Sequence, residues 1–230
     1  MKKLSKIVIV LVLGILVLTG CTKSSATKFK KEYESLNGKT ASSGKTIREI
    51  SIPDDNPMVY QTAEGIVSRM ENGETFAVYF GFASCPWCRS MIEQLIQSAK
   101  DNNISTIYYV DVYKIRDKYE LDESGKLTRT EEGTDGYNEL LNLLDDVLDD
   151  YVLTTKSGEK VETNEKRIYA PNVVAVVNGV ATEMIEGTSS SLEDPYSELT
   201  DDMKKESYES FKCLWNCLSK ESTMCSKNSC

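Results

Sequence analysis

Residues 75–82, TFAVYFGF, form an almost unbroken apolar and aromatic run that leads, after Ala83-Ser84, into Cys85-Pro86-Trp87-Cys88. A run without polar alternation is the pattern of a strand covered on both faces. The residues that follow, RSMIEQLIQSAKDNN, place Met91, Ile92, Leu95, Ile96 and Ala99 on one side of a helix. A doubly covered strand running straight into an amphipathic helix calls for a layered α/β architecture, because each sheet face needs its own cover. Two thiols stand at the junction. Three roles suit such a pair: a redox couple, half of a metal site, or a structural staple.

The flanking segments extend the alternation. TIREISI (46–52) has strand-like content and PDDNP then makes a turn. TAEGIVSRMENG (62–73) opens with Thr62, carries Ile66, Val67 and Met70 at helical spacing, and closes on Gly73. ISTIYYVDV (104–112) reads as a second buried strand. The order strand, helix, strand, helix, strand implies parallel pairing through right-handed crossovers. Residues 113–134 are polar and irregular. DGYNELLNLLDDVLDDYV then predicts one long helix, with Tyr137, Leu140, Leu141, Leu144, Val147, Leu148 and Tyr151 at three-four spacing as a core stripe. VLTTKSGEKVE (152–162) reads as a small hairpin turning at Ser157-Gly158. APNVVAVVNGVATEMIEG (170–187) reads as two strands joined by Asn178-Gly179, the strongest local hairpin signal. The last helix carries Phe211, Leu214, Trp215 and Leu218 on one face.

At the other end of the chain, Lys2, Lys3 and Lys6 precede an apolar run of 12 residues (7–18), too short for an ordinary spanning helix and read as a secretory signal. Leu18-Thr19-Gly20-Cys21 resembles the lipobox of bacterial lipoproteins, which implies a signal peptide over 1–20 and lipidation of Cys21. Residues 21–45, rich in Ser, Thr, Lys and Gly, then read as the lipidated cysteine and a mobile tether. The expected location is the extracytoplasmic face of the bacterial cell membrane, held there by the lipid anchor. Losing residues 1–20 removes three positive charges and moves the formal charge from −9 to −12. So acidic a chain, with no basic cluster, argues against nucleic acid as a partner. Histidine is absent, which excludes Ser-His-Asp and Cys-His hydrolytic centres and every His-ligated metal site.

Setting Cys21 aside leaves six cysteines in a compartment where disulfides persist: the 85/88 pair, and Cys213, Cys217, Cys225 and Cys230 near the end. Cys213 and Cys217 are one helical turn apart. Four cysteines allow three pairings, of which 213–230 with 217–225 is the arrangement preferred here, as structural disulfides stapling a return segment to the helix. A four-cysteine metal site and an internal thiol relay are the rival readings.

The 85/88 pair has a chemical logic of its own. The first turn of a helix offers unpaired N–H groups and the positive end of the macrodipole, both of which favour a thiolate. A thiol so activated attacks disulfides, and a second thiol two residues on resolves the mixed disulfide. Pro86 has a φ suited to a helix start, and Trp87 would cover the sulfurs. Zinc would need further ligands, and no histidine exists to supply them. Pro171, opening the apolar strand of the later hairpin, is the second feature.

With CPWC after the central strand and Ala170-Pro171 opening the hairpin, the chain resembles the thioredoxin superfamily over residues 46–187. Its nearest likeness is to thioredoxin-like lipoproteins and bacteriocin-transport accessory proteins of Gram-positive bacteria. The resemblance implies a thioredoxin-like α/β fold, with a central mixed sheet flanked by helices, over 46–198. A helical insertion (about 113–167) and a C-terminal helix with four cysteines (199–230) elaborate it. It also implies roles: Cys85 as attacking thiol, Cys88 as resolving thiol, Pro171 as a cis-proline beside Ala170, and Pro86 and Trp87 as support. The expected function is a membrane-anchored thiol-disulfide oxidoreductase acting on exported protein substrates, coupled to a membrane redox partner and needing no cofactor or metal. The alternative is a non-enzymatic accessory lipoprotein on the same scaffold. One departure stands out. Thioredoxins proper place a buried acidic residue six positions before the first cysteine; that position here is Tyr79, so no proton acceptor for Cys88 is assigned.

Overall fold

A computed structural model describes residues 24–219. The expected signal peptide (1–20), Cys21, Cys225 and Cys230 lie outside the described residues. The apolar run becomes strand β2 (Phe76–Gly81), buried at every position. It lies third in a five-stranded sheet of order β1-β3-β2-β8-β9, with β1 (Met58–Tyr60), β3 (Ile107–Asp111), β8 (Asn172–Val177) and β9 (Val180–Ile185). Strands β1, β3 and β2 run parallel, β8 is antiparallel to β2, and β9 is antiparallel to β8. The protein is thus mixed α/β with a mixed central sheet and helices on both faces, an arrangement compatible with the expected fold.

The period-two alternation of strand side chains explains why β2 reads as continuously apolar. Ala77 and Tyr79 enter one core with Val173 and Ala175 of β8, under helix α3 (Pro86–Asp101) and helix α5 (Asp201–Leu218). Val78 and Phe80 enter the other core with Val174 and Val176, under helix α2 (Ala63–Glu71) and helix α4 (Asp135–Leu143). Helix α5 is fastened to α3 by Trp215, whose indole N–H donates to Ser98 Oγ at 3.0 Å. The Asn178-Gly179 turn docks on the end of α2: Gly179 has φ +81°, its N–H donates to Glu74 O at 2.9 Å, and a Cβ there would lie 2.1 Å from Met70 O.

Several expectations are corrected. Residues 24–45 are not a mobile tether: 24–34 form a helix, α1, with Phe29 and Tyr33 wholly buried against the first core. The spacing of Ala26, Phe29 and Tyr33 gives that helix an apolar stripe, enough to dock it despite its polar composition. TIREISI is extended but forms no named strand; its one ladder contact is an isolated bridge, Thr40 to Thr46.

Residues 113–134 are not irregular throughout, since β4 (Lys118–Leu121) and β5 (Leu127–Glu131) pair as a hairpin. The helix expected over 135–152 stops at Leu143, and Tyr151 lies instead on β6 (Asp149–Thr154), paired with β7 (Lys160–Arg167). Asp145 and Asp146 explain the stop, because acidic residues at a helix C-terminus oppose the macrodipole. Among the described residues no helix is long and apolar enough to cross a membrane.

Candidate active site

The junction of β2 and α3 sets the two thiols. Cys85 is the N-cap of α3, with extended φ and ψ of −70° and 118°, and Pro86 is the first helical residue. Capping geometry turns the Cys85 side chain back over the open helix end, where its Sγ accepts the Cys88 N–H at 3.3 Å. In its thiol form Cys85 also donates to the carbonyl oxygen of Ala170 at 3.3 Å, and the Ala170–Pro171 peptide bond is cis. Both cysteines are free and buried, Cys85 at 4% exposure and Cys88 at 0%.

Their electrostatics diverge. The Cys85 thiol is held below its ordinary value, first by the Cys88 thiol, which hydrogen-bonds the Cys85 thiolate, then by the backbone N–H groups of Cys88 and Trp87 and the positive charge of Arg116; burial opposes all of these. The Cys88 thiol is pushed well up by burial and by the adjacent Cys85 sulfur, while the Tyr79 hydroxyl and the Phe82 N–H pull it partly back. One thiol is thus prepared to ionise near the surface and the other to keep its proton inside. Arg116 reaches the site from the segment after β3, its guanidinium 5.2 Å from the centre of the Phe82 ring.

Around the pair, Trp87, Tyr169, Ala170, Pro171, Glu186 and Leu192 line a groove of about 340 Å³. Burial raises the Glu186 carboxyl, with the charge of Asp149 adding to the effect. The 113–167 segment leads into this groove. The Arg167 guanidinium lies 3.8 Å from the Tyr151 ring and forms a buried ion pair with Asp117 at 3.2 Å. The Tyr169 hydroxyl donates to Asp150 O at 3.1 Å. These contacts hold the backbone that ends in Ala170-Pro171.

No family model, no curated protein and no solved structure matches this chain. What the site can do therefore rests on its own geometry. The structure brings Cys85, Pro86, Trp87, Cys88, Ala170 and Pro171 together at one end of the sheet. Cys213 and Cys217 lie on α5 and are both disulfide-bonded. Cys225 and Cys230, and with them the expected 213–230 and 217–225 pairing, lie outside the described residues.

Sequence reasoning missed Arg89, which follows the motif directly and is 1% exposed. Its guanidinium makes five hydrogen bonds, all to neutral oxygens: Nε and Nη2 to Arg48 O at 2.9 and 2.6 Å, Nη1 to Tyr33 O and Ala83 O at 2.9 and 3.1 Å, and Nη2 to Asn37 Oδ1 at 2.5 Å. One cation thereby ties α1, the extended segment after it and the loop entering the cysteine pair. The signal available was a charged residue in the first turn of a helix whose other early positions are apolar or small. Tyr33 was also missed, because it lay in the stretch read as a tether.

Proposed function

We propose that this protein is a membrane-anchored, extracytoplasmic thiol-disulfide oxidoreductase with a thioredoxin-like fold, acting through Cys85 and Cys88 on cysteines of exported proteins. The observation that carries the reading is the Cys85 sulfur, capped by the Cys88 N–H at 3.3 Å and facing the Ala170 carbonyl at the same distance. The strand order, with β1, β3 and β2 parallel and a β8–β9 hairpin antiparallel to them, supports the fold. The anchor rests on the Leu18–Cys21 motif.

In the reducing direction, the Cys85 thiolate attacks a substrate disulfide. A Cys85–substrate S–S bond forms, and one substrate sulfur leaves as a thiolate and takes a proton. Cys88 then loses its proton and attacks Cys85 Sγ. The Cys85–Cys88 disulfide forms, the mixed disulfide breaks, and the second substrate thiol departs with that proton. Two electrons pass from the protein to the substrate, and a thiol donor at the membrane resets the pair. The oxidising direction is the same sequence reversed, with a disulfide donor as the resetting partner. The groove beside Trp87 and Pro171 suits an extended substrate chain, which would pair with the backbone at Ala170 as an added strand.

The test replaces Cys85 or Cys88 with Ser and measures reduction of insulin disulfides and refolding of a reduced substrate. Loss of both activities in each variant is expected. Unchanged activity in both would leave the non-enzymatic accessory role as the better account.

A further inference from the structure

Tyr79 is fully buried on β2, facing the core that holds Cys88, Met91 and Tyr109, and its ring stacks on Tyr109 at 5.4 Å between centroids. The ring runs along the strand over Gly81, where a Cβ would lie 2.3 Å from the phenol oxygen. Only glycine at 81 leaves space for the hydroxyl to reach forward to the motif. A second phenol backs the first: the Tyr33 hydroxyl, on α1, lies 2.9 Å from that of Tyr79, and it too is fully buried.

We infer that Tyr79 donates its hydroxyl proton as a hydrogen bond to the Cys88 sulfur during resolution, and that Tyr33 is the positioning residue that orients it. The inference rests on the redox reading above and names the group that serves where an acid was not found. A phenol in this place does not act as a base. Burial, first of all, holds the Tyr79 hydroxyl far above its ordinary value, so it keeps its proton throughout. Its role is to stabilise the Cys88 thiolate as that thiolate forms. The Cys88 proton itself ends on the departing substrate thiol.

The electrostatic influences on the three groups run in one order. Tyr79 lowers Cys88 and is raised by it; Tyr33 lowers Tyr79 and is raised by it. With the Tyr79 proton directed to the sulfur, the Tyr79 oxygen is left to accept from the Tyr33 hydroxyl 2.9 Å away. Other groups facing this site are the Cys85 sulfur, the Phe82 N–H, the Tyr109 phenol and the Arg89 guanidinium.

The test uses the purified, reduced protein and dithiobis(nitrobenzoate), whose released thiol is coloured. A first phase of release reads attack by Cys85. A second reads displacement of the remaining nitrobenzoate thiol by Cys88. Tyr79→Phe is expected to slow the second phase roughly tenfold to a hundredfold at neutral pH, the size of losing a hydrogen bond to a charged group. The rates should converge at high pH, where Cys88 ionises without help. Tyr33→Phe, which leaves Tyr79 in place, should slow the same phase severalfold and serves if Tyr79→Phe does not fold.

A second phase equal to the wild type in rate and pH profile in both variants, or in Tyr33→Phe alone where only it folds, overturns the inference while leaving the redox reading intact. A wild type that shows no first phase, or no second, overturns both.

Discussion

The hydroxyl of Tyr33 lies 2.9 Å from that of Tyr79, which joins helix α1 to the strand that carries the cysteine pair. The segment before the sheet is therefore part of the buried cluster that holds both cysteines. Arg89 strengthens the same connection from the other side, through the Tyr33 and Ala83 carbonyls.

Helix α1 should contribute to global stability. Phe29 is fully buried, 4.4 Å from the Tyr33 ring and 4.9 Å from that of Tyr109. Phe29→Ala is expected to cost about 3–5 kcal/mol in urea denaturation, the range for emptying a core aromatic site. A loss near zero would mean that α1 is undocked in solution.

Arg89→Lys is expected to destabilise the protein by about 3 kcal/mol despite keeping the charge. An ammonium has three donors on a flexible stem and cannot span Arg48, Tyr33, Ala83 and Asn37 as the planar guanidinium does. The same denaturation experiment reads it. Stability equal to the wild type would show that the charge alone is what the site needs.

The two thiols should separate cleanly by pH. Because Cys85 lies below the ordinary thiol value and Cys88 well above it, alkylation near neutrality should label Cys85 alone. Its rate should rise with pH and level off below the ordinary thiol range, about 8.5 for a free cysteine. Peptide mapping by mass checks the assignment. Label on Cys88 first, or a rate still climbing through that range, would reverse the proposed roles.

What could be read from the sequence followed from how strongly burial marks it. Strand β2, α3, β3 and the β8–β9 hairpin were legible because both their faces, or one whole stripe, are apolar. Helix α1 was hidden by its Ser, Thr and Lys content, although Ala26, Phe29 and Tyr33 carried the helical period. The β4–β5 hairpin is an exposed two-stranded ribbon held partly by Lys118–Glu131, so no apolar alternation announces it. At the site, the motif cysteines could be named from their spacing at a strand–helix junction, and Pro171 from the resemblance to the thioredoxin superfamily. Tyr79 could be placed but given no role, because its function depends on Gly81 clearing space and on Tyr33 arriving from a distant segment.

Trp87 should matter for protein substrates more than for small ones. It forms one wall of the groove that also holds Pro171 and Leu192. Trp87→Ala is expected to raise KM for a disulfide-bonded peptide about tenfold, the scale of losing one aromatic anchor. Steady-state kinetics with the peptide and with oxidised glutathione makes the comparison. Equal effects on both would place substrate binding elsewhere.

The central claim is that Cys85 and Cys88 form a reversible two-electron couple. Equilibrating the protein in dithiothreitol buffers of graded potential, quenching by alkylation and weighing the products measures this directly. A single reversible transition involving these two cysteines, absent in Cys85→Ser and in Cys88→Ser, is the predicted result. A pair that stays wholly dithiol or wholly disulfide across the full range would contradict it.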